Sequence, residues 1–161
     1  MTAAPPYPSE VRDFDFIHGR WTIANRRLKT RGVGADDWDV FASASTCEPR
    51  LDGLANIEEV SCPERGWSGM AVRAFDLEAR HWSIWWVGSL DGKLQPPVTG
   101  RFDHHGCVLQ GPDMDGDRPI VARFTWSDIT PVGARWSQAF SYDDGATWET
   151  NWVMDFTREA A

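Results

Sequence analysis

Three polar side chains, Arg123, Gln138 and Asn151, are spaced so that neighbouring antiparallel strands could carry them in one row. An arginine flanked by two amides can hold an anion or a carbonyl oxygen. The guanidinium offers charge-assisted donors in a planar fork, and the amides add neutral donors and acceptors. Glu149 and His81 have the chemistry of an acid or base acting on such a molecule. Glu58 and Glu59 are adjacent in a strand-like segment, so one of them must face away from the other. If buried, that glutamate could be a general base; solvation is its ordinary state. "DMDGD", residues 113–117, begins like a calcium loop, but its glycine follows the second Asp and no Glu stands at the twelfth position. A turn is expected there instead. His18, His81, His104 and His105 lack ligand spacing, so no metal site is expected. Neither a Gly-x-Ser-x-Gly elbow nor a glycine-rich phosphate loop occurs, which leaves a hydrolase triad or a nucleotide cofactor without an anchor.

Composition narrows the function further. A formal net charge of −8 argues against a nucleic-acid surface, which needs a basic stripe. Ten Trp and eight Phe against two Tyr call for a broad aromatic interior or an aromatic-lined cavity, because an indole is costly to bury unless its N–H finds a partner. Cys47, Cys62 and Cys107 are odd in number and irregular in spacing, and are expected as reduced thiols. With no signal-peptide pattern at the N-terminus and no apolar run near the ~20 residues of a membrane span, a cytoplasmic protein that does not engage a membrane is expected.

These side chains need a scaffold. Residues 1–8 carry three prolines and read as a flexible arm. Residues 9–158 read as one domain. Ser9 can cap a short helix with Val11, Phe14 and Ile17 on its apolar side, ended by Gly19. After it the apolar period drops to two, and turn signals recur about every ten to fifteen residues. About ten antiparallel strands follow, with no crossover helix. A sheet that long closes or splits into two layers, and closure removes its edges. A closed up-and-down barrel with a short N-terminal helix is therefore expected, with a sandwich as the competing fold.

"FDFIHGRW" places that helix just before Gly19-Arg20-Trp21, and a Gly-x-Trp opening the first strand resembles the lipocalin signature. With "HWSIWW", "PPVTGRF" and "QAFSYDDGATWETNWVMDFTR", most of residues 13–158 resemble an uncharacterised bacterial family of lipocalin-like, calycin-type β-barrels, a domain of unknown function. The resemblance implies a barrel plugged at one end by the helix, with the Trp packed against it. It implies no activity.

"SYDDGATW", residues 141–148, has the Ser-x-Asp-x-Gly-x-Thr-Trp form of an Asp-box. Asp143 and Thr147 can hydrogen-bond the turn's own backbone, Asp144-Gly145 can form the corner, and the Trp can pack beneath. One box without internal repeats reads as a hairpin staple rather than a glycosidase mark. It sets a register. Phe140 should face Glu149, Gln138 should face Asn151, and Trp136 should face Val153. If Trp126 opposes Arg135, Arg123 falls beside Gln138 and completes the polar row, either inside the barrel or on a solvated outer face. On a second hairpin, Met70, Val72 and Ala74 should oppose Trp86, Ile84 and Trp82 on an inward apolar wall, with Arg73, His81 and Ser83 outside.

The expected function is binding of a small, partly apolar molecule, aromatic or anionic, inside the barrel. Trp82, Trp86, Met70 and Trp136 would supply area, and Arg123, Gln138 and Asn151 a polar anchor. Enzyme action on such a molecule, or a filled barrel that contacts another protein, remain the alternatives. No cofactor is expected, and the reading leaves room for a homodimer.

Overall fold

A computed structural model describes residues 7–160 of the chain. Most of the expected N-terminal arm, residues 1–6, lies outside the described residues. Ten strands form one closed antiparallel barrel: β1 (Gly19–Leu28), β2 (Trp38–Arg50), β3 (Ala55–Cys62), β4 (Trp67–Asp76), β5 (His81–Gly88), β6 (Val98–Asp103), β7 (Gly106–Asp115), β8 (Arg118–Ser127), β9 (Gly133–Ser141) and β10 (Glu149–Arg158). Each strand pairs with its neighbours in sequence, and β1 closes the ring against β10. The fold is the expected up-and-down barrel, and the sandwich is excluded.

The expected helix is present as two 3₁₀ turns, Ser9–Arg12 and Asp15–Ile17. Val11, Phe14 and Ile17 are spaced by three, which brings them into line in a 3₁₀ geometry, and all three are buried. Ser9 is the first residue of the first turn rather than its cap, and no side chain caps it.

This segment closes one end of the barrel. Phe14 meets Trp82 edge-on at 4.9 Å and Phe102 at 4.7 Å. Trp21 is fully buried; its indole N–H donates to the Ile17 carbonyl at 2.9 Å, and its ring packs edge-on against Phe156. Arg158, at the end of β10, locks the plug. Its guanidinium lies 4.2 Å over Trp21 and donates to the carbonyls of Phe16, His18 and Pro131. The opposite end carries the longer loops, including the Asp-box.

The Asp-box is a staple. Asp143 Oδ1 accepts from Thr147 N and from the Ser141 hydroxyl, both at 2.8 Å, while Asp143 Oδ2 accepts from the Thr147 hydroxyl at 2.5 Å. Asp144 (φ 57) and Gly145 (φ 91) make the left-handed corner. Phe140 pairs with Glu149 as expected. A β-bulge then intervenes between Thr150 and Trp152, so Gln138 pairs with Trp152 and Trp136 with Met154.

Two hairpin registers differ from the sequence reading by one residue. In β4–β5, Asp76 joins the ladder opposite His81, and a four-residue loop follows with Arg80 left-handed at φ 56. Ala71, Arg73 and Phe75 consequently oppose Trp86, Ile84 and Trp82 and face the interior. Met70, Val72 and Ala74 lie on the outward face. In β8–β9, Trp126 pairs with Trp136, and Arg123 pairs with Ala139. That slip turns Arg123 outward, as the two-residue strand period requires.

Candidate functional site

The interior holds a cavity of about 100 Å³, or about 780 Å³ of empty space when its mouth to solvent is included. The walls are aromatic. Trp86, Phe124, Trp136 and Trp152 line the sides, with Trp126 and Phe156 nearer the plugged end. Trp152 is fixed by its N–H, which donates to Asn25 Oδ1 at 3.0 Å, by edge-on packing against Trp67 and Trp136, and by Arg27 stacked 4.4 Å over its ring. Trp86 depends on a glycine: a Cβ on Gly69 would lie 2.1 Å from the Trp86 indole, so only a residue without a side chain leaves that ring its place.

Deep in this apolar surface lies an ion pair. Arg73 Nη2 donates to Glu58 Oε1 at 2.5 Å, and Nη1 donates to Asn56 Oδ1 at 2.9 Å. The two charged side chains are only 3% and 4% exposed. Glu58 and Arg73 come from adjacent strands on a diagonal, since Asn56 pairs with Arg73 and Glu58 with Ala71. The guanidinium sits between rings, 5.3 Å from Phe14 and 5.5 Å from Trp126, and Cys47 Sγ stands 3.9 Å from it. Burial in this setting pushes the Cys47 thiol up to about 12, so it is no nucleophile near neutral pH. Asp113 lines the cavity as well, and its carboxyl is raised above the ordinary range, chiefly by burial.

The structure separates the residues expected at the site. Trp86, Trp136 and Gln138 line the cavity. Asn151 is buried at the bulge, and its Oδ1 accepts from Gln138 Nε2 at 2.8 Å; it braces a lining residue without lining the cavity itself. Trp82 packs beneath the plug, with its N–H on the Glu10 carbonyl at 3.3 Å, and belongs to the closed end. Met70 faces outward. Arg123 lies on the outer surface, its guanidinium 4.1 Å over the Asp-box Trp148, so the polar row loses its cation. Gln138 stays inside because the β8–β9 slip pairs it with Phe124 rather than with Arg123.

Neither expected acid or base faces the cavity. Both Glu149 carboxylate oxygens accept backbone N–H groups of the β1–β2 loop, from Gly32 at 2.7 Å and Gly34 at 2.9 Å. His81 stands at the start of β5, next to the β4–β5 loop. In the "DMDGD" turn, Asp115 is taken up by Arg31 and by the Tyr142 hydroxyl. Among the described residues no group of three or more His, Cys, Asp or Glu converges as metal ligands would.

The sequence reading missed Arg73 as an interior residue and Trp126, Phe124 and Trp152 as walls. Glu58 was half visible, because strand alternation allows only one of Glu58 and Glu59 to point inward. No family model and no curated protein matches this chain. No helix among the described residues is long and apolar enough to cross a membrane.

Proposed function

We propose that the protein binds a small, partly apolar molecule inside a lipocalin-like barrel. The observation that carries this reading is the cavity: it is walled by aromatic rings, open at one end and furnished with a few polar groups at depth, the usual form of a small-molecule site. A filled barrel would leave no such space. The enzyme alternative finds no support in Glu149, which is committed to the β1–β2 loop. The anionic side of the expected ligand class has lost the anchor it was given, because Arg123 is outside. Three buried free cysteines suit a reducing compartment and support a cytoplasmic location.

The test is a titration of intrinsic Trp fluorescence with single-ring aromatic probes such as ethylbenzene, in wild type and in Ala122→Leu. Ala122 lines the cavity and is buried, so a leucine there takes up ligand space. Saturable quenching in wild type, lost in a folded Ala122→Leu protein, is expected. Equal binding by both proteins would place the ligand elsewhere.

A further inference from the structure

Three polar atoms of cavity-lining residues are buried and have no hydrogen-bond partner among the described residues: Glu58 Oε2, Arg73 Nε and Trp126 Nε1. They lie close together. Arg73 bonds Glu58 directly, and its guanidinium is 5.5 Å from the Trp126 ring, so the three residues meet at one region of the cavity wall. Two of the atoms carry a hydrogen to donate, and the third is a carboxylate oxygen that only accepts. A buried polar atom without a partner is costly, so a molecule that completes all three gains more than its apolar contact.

We propose that the cavity selects a small, neutral, planar molecule with a hydrogen-bond donor beside a carbonyl acceptor, of the primary amide, lactam or cyclic urea class. Its N–H is directed to Glu58 Oε2, and its carbonyl oxygen accepts from Trp126 Nε1 and Arg73 Nε. The proposal rests on the binding function read above and names its ligand class.

Charge decides between the alternatives. The charged side chains that line the cavity are Glu58, Arg73 and Asp113. Arg73 is already neutralised by Glu58. A carboxylate ligand would set a second negative charge beside Glu58 Oε2, with no other cation in the lining, and like charges in a poorly solvated space repel strongly. An ammonium ligand would satisfy Glu58 but would face the guanidinium and leave both N–H donors without an acceptor. An amide edge uses both kinds of atom and adds no charge. The rings of Trp86, Phe124, Trp136 and Trp152 offer flat apolar faces to the remainder of the molecule.

Four single-ring probes of similar shape test this on the full chain by calorimetry and Trp fluorescence: benzamide, benzoate, benzylammonium and ethylbenzene. Benzamide is expected to bind at least about tenfold more tightly than each of the others, a difference of about 1.4 kcal/mol. Trp126→Phe keeps an aromatic ring and removes the N–H. It should erase most of the benzamide advantage over ethylbenzene measured in the same variant. If ethylbenzene, benzoate or benzylammonium binds as well as benzamide, the amide preference is overturned while the cavity reading stands. If none of the four binds, both fail. A benzamide preference that survives Trp126→Phe in full would overturn the assignment of the donor.

Discussion

Arg73 and Glu58 form the most deeply buried ion pair among the described residues. Both have left water, and the attraction between them must offset two desolvation costs. Removing one partner strands the other. Glu58→Leu and Arg73→Met should each lower stability by roughly 3–5 kcal/mol, whereas the double variant, which keeps an apolar interior, should lie well above the sum of the two and near or above wild type. Denaturant unfolding of the four proteins measures this. Single variants that each cost under about 1 kcal/mol would show the pair to be solvated. The pair also shows what a sequence reveals of a site. Alternation made one of Glu58 and Glu59 an inward candidate. Patterning alone points Arg73 outward, because the opposite face of β4, with Met70, Val72 and Ala74, is wholly apolar. Counting apolar residues ranks a face with one arginine as the outer one. The count cannot see that the partner of that arginine sits diagonally on β3.

At the scale of single elements, loop length proved harder to read than strand content. All ten strands lie where period-two patterning and turn residues place them. The β4–β5 and β8–β9 registers each slipped by one residue, since a left-handed Arg80 and Asp128 leave no turn dipeptide to mark them. One residue was enough to exchange Met70 for Ala71 and to put Arg123 outside. The Asp-box hairpin was legible because its turn is written in side chains. Hydrogen bonds from Thr147 and Ser141 hold the Asp143 carboxyl down from its ordinary 3.8 to about 2. A depressed carboxyl contributes stability that is fully present above its unfolded value and is lost as pH falls through its folded value. Asp143→Ala should therefore be less stable than wild type at pH 6, and the gap should narrow as pH drops from about 4 to about 2. Thermal unfolding of both proteins across that range checks it; a gap unchanged at pH 2 would mean that the Asp143 charge plays no part in the staple.

For the molecule as a whole, the barrel was legible and the lining of its cavity only in part: Trp86, Trp136 and Gln138 line it, while Met70, Trp82, Arg123 and Asn151 do not. Strand number, antiparallel order and the need to remove edges all follow from local pattern. A cavity follows from how side chains of many strands meet at the centre, and a shift of one residue in any hairpin rearranges it. The closed ring also bears on how the protein opens. Cys47 on β2, Cys62 on β3 and Cys107 on β7 are all buried free thiols. Burial raises all three above the ordinary thiol value, Cys47 and Cys107 to about 12, so thiolate is scarce near neutral pH even before access is considered. β1 and β10 seal the ring, Arg158 ties the plug to the seam, and the one short ladder, β5–β6 with pairs from Trp82↔Gly100 to Ile84↔Val98, involves none of the cysteine-bearing strands β2, β3 and β7. The native protein should then leave all three thiols unreactive towards a disulfide reagent at pH 8. In denaturant without reductant all three should react, and below the unfolding midpoint they should do so at one shared rate, that of global opening. Titration of the released chromophore with time, and mass spectrometry to assign each cysteine, distinguishes the outcomes. A single thiol that reacts ahead of the others, with Cys62 beside the open end the one to watch, would show that the β3–β4 corner opens alone and that the barrel is not one cooperative unit.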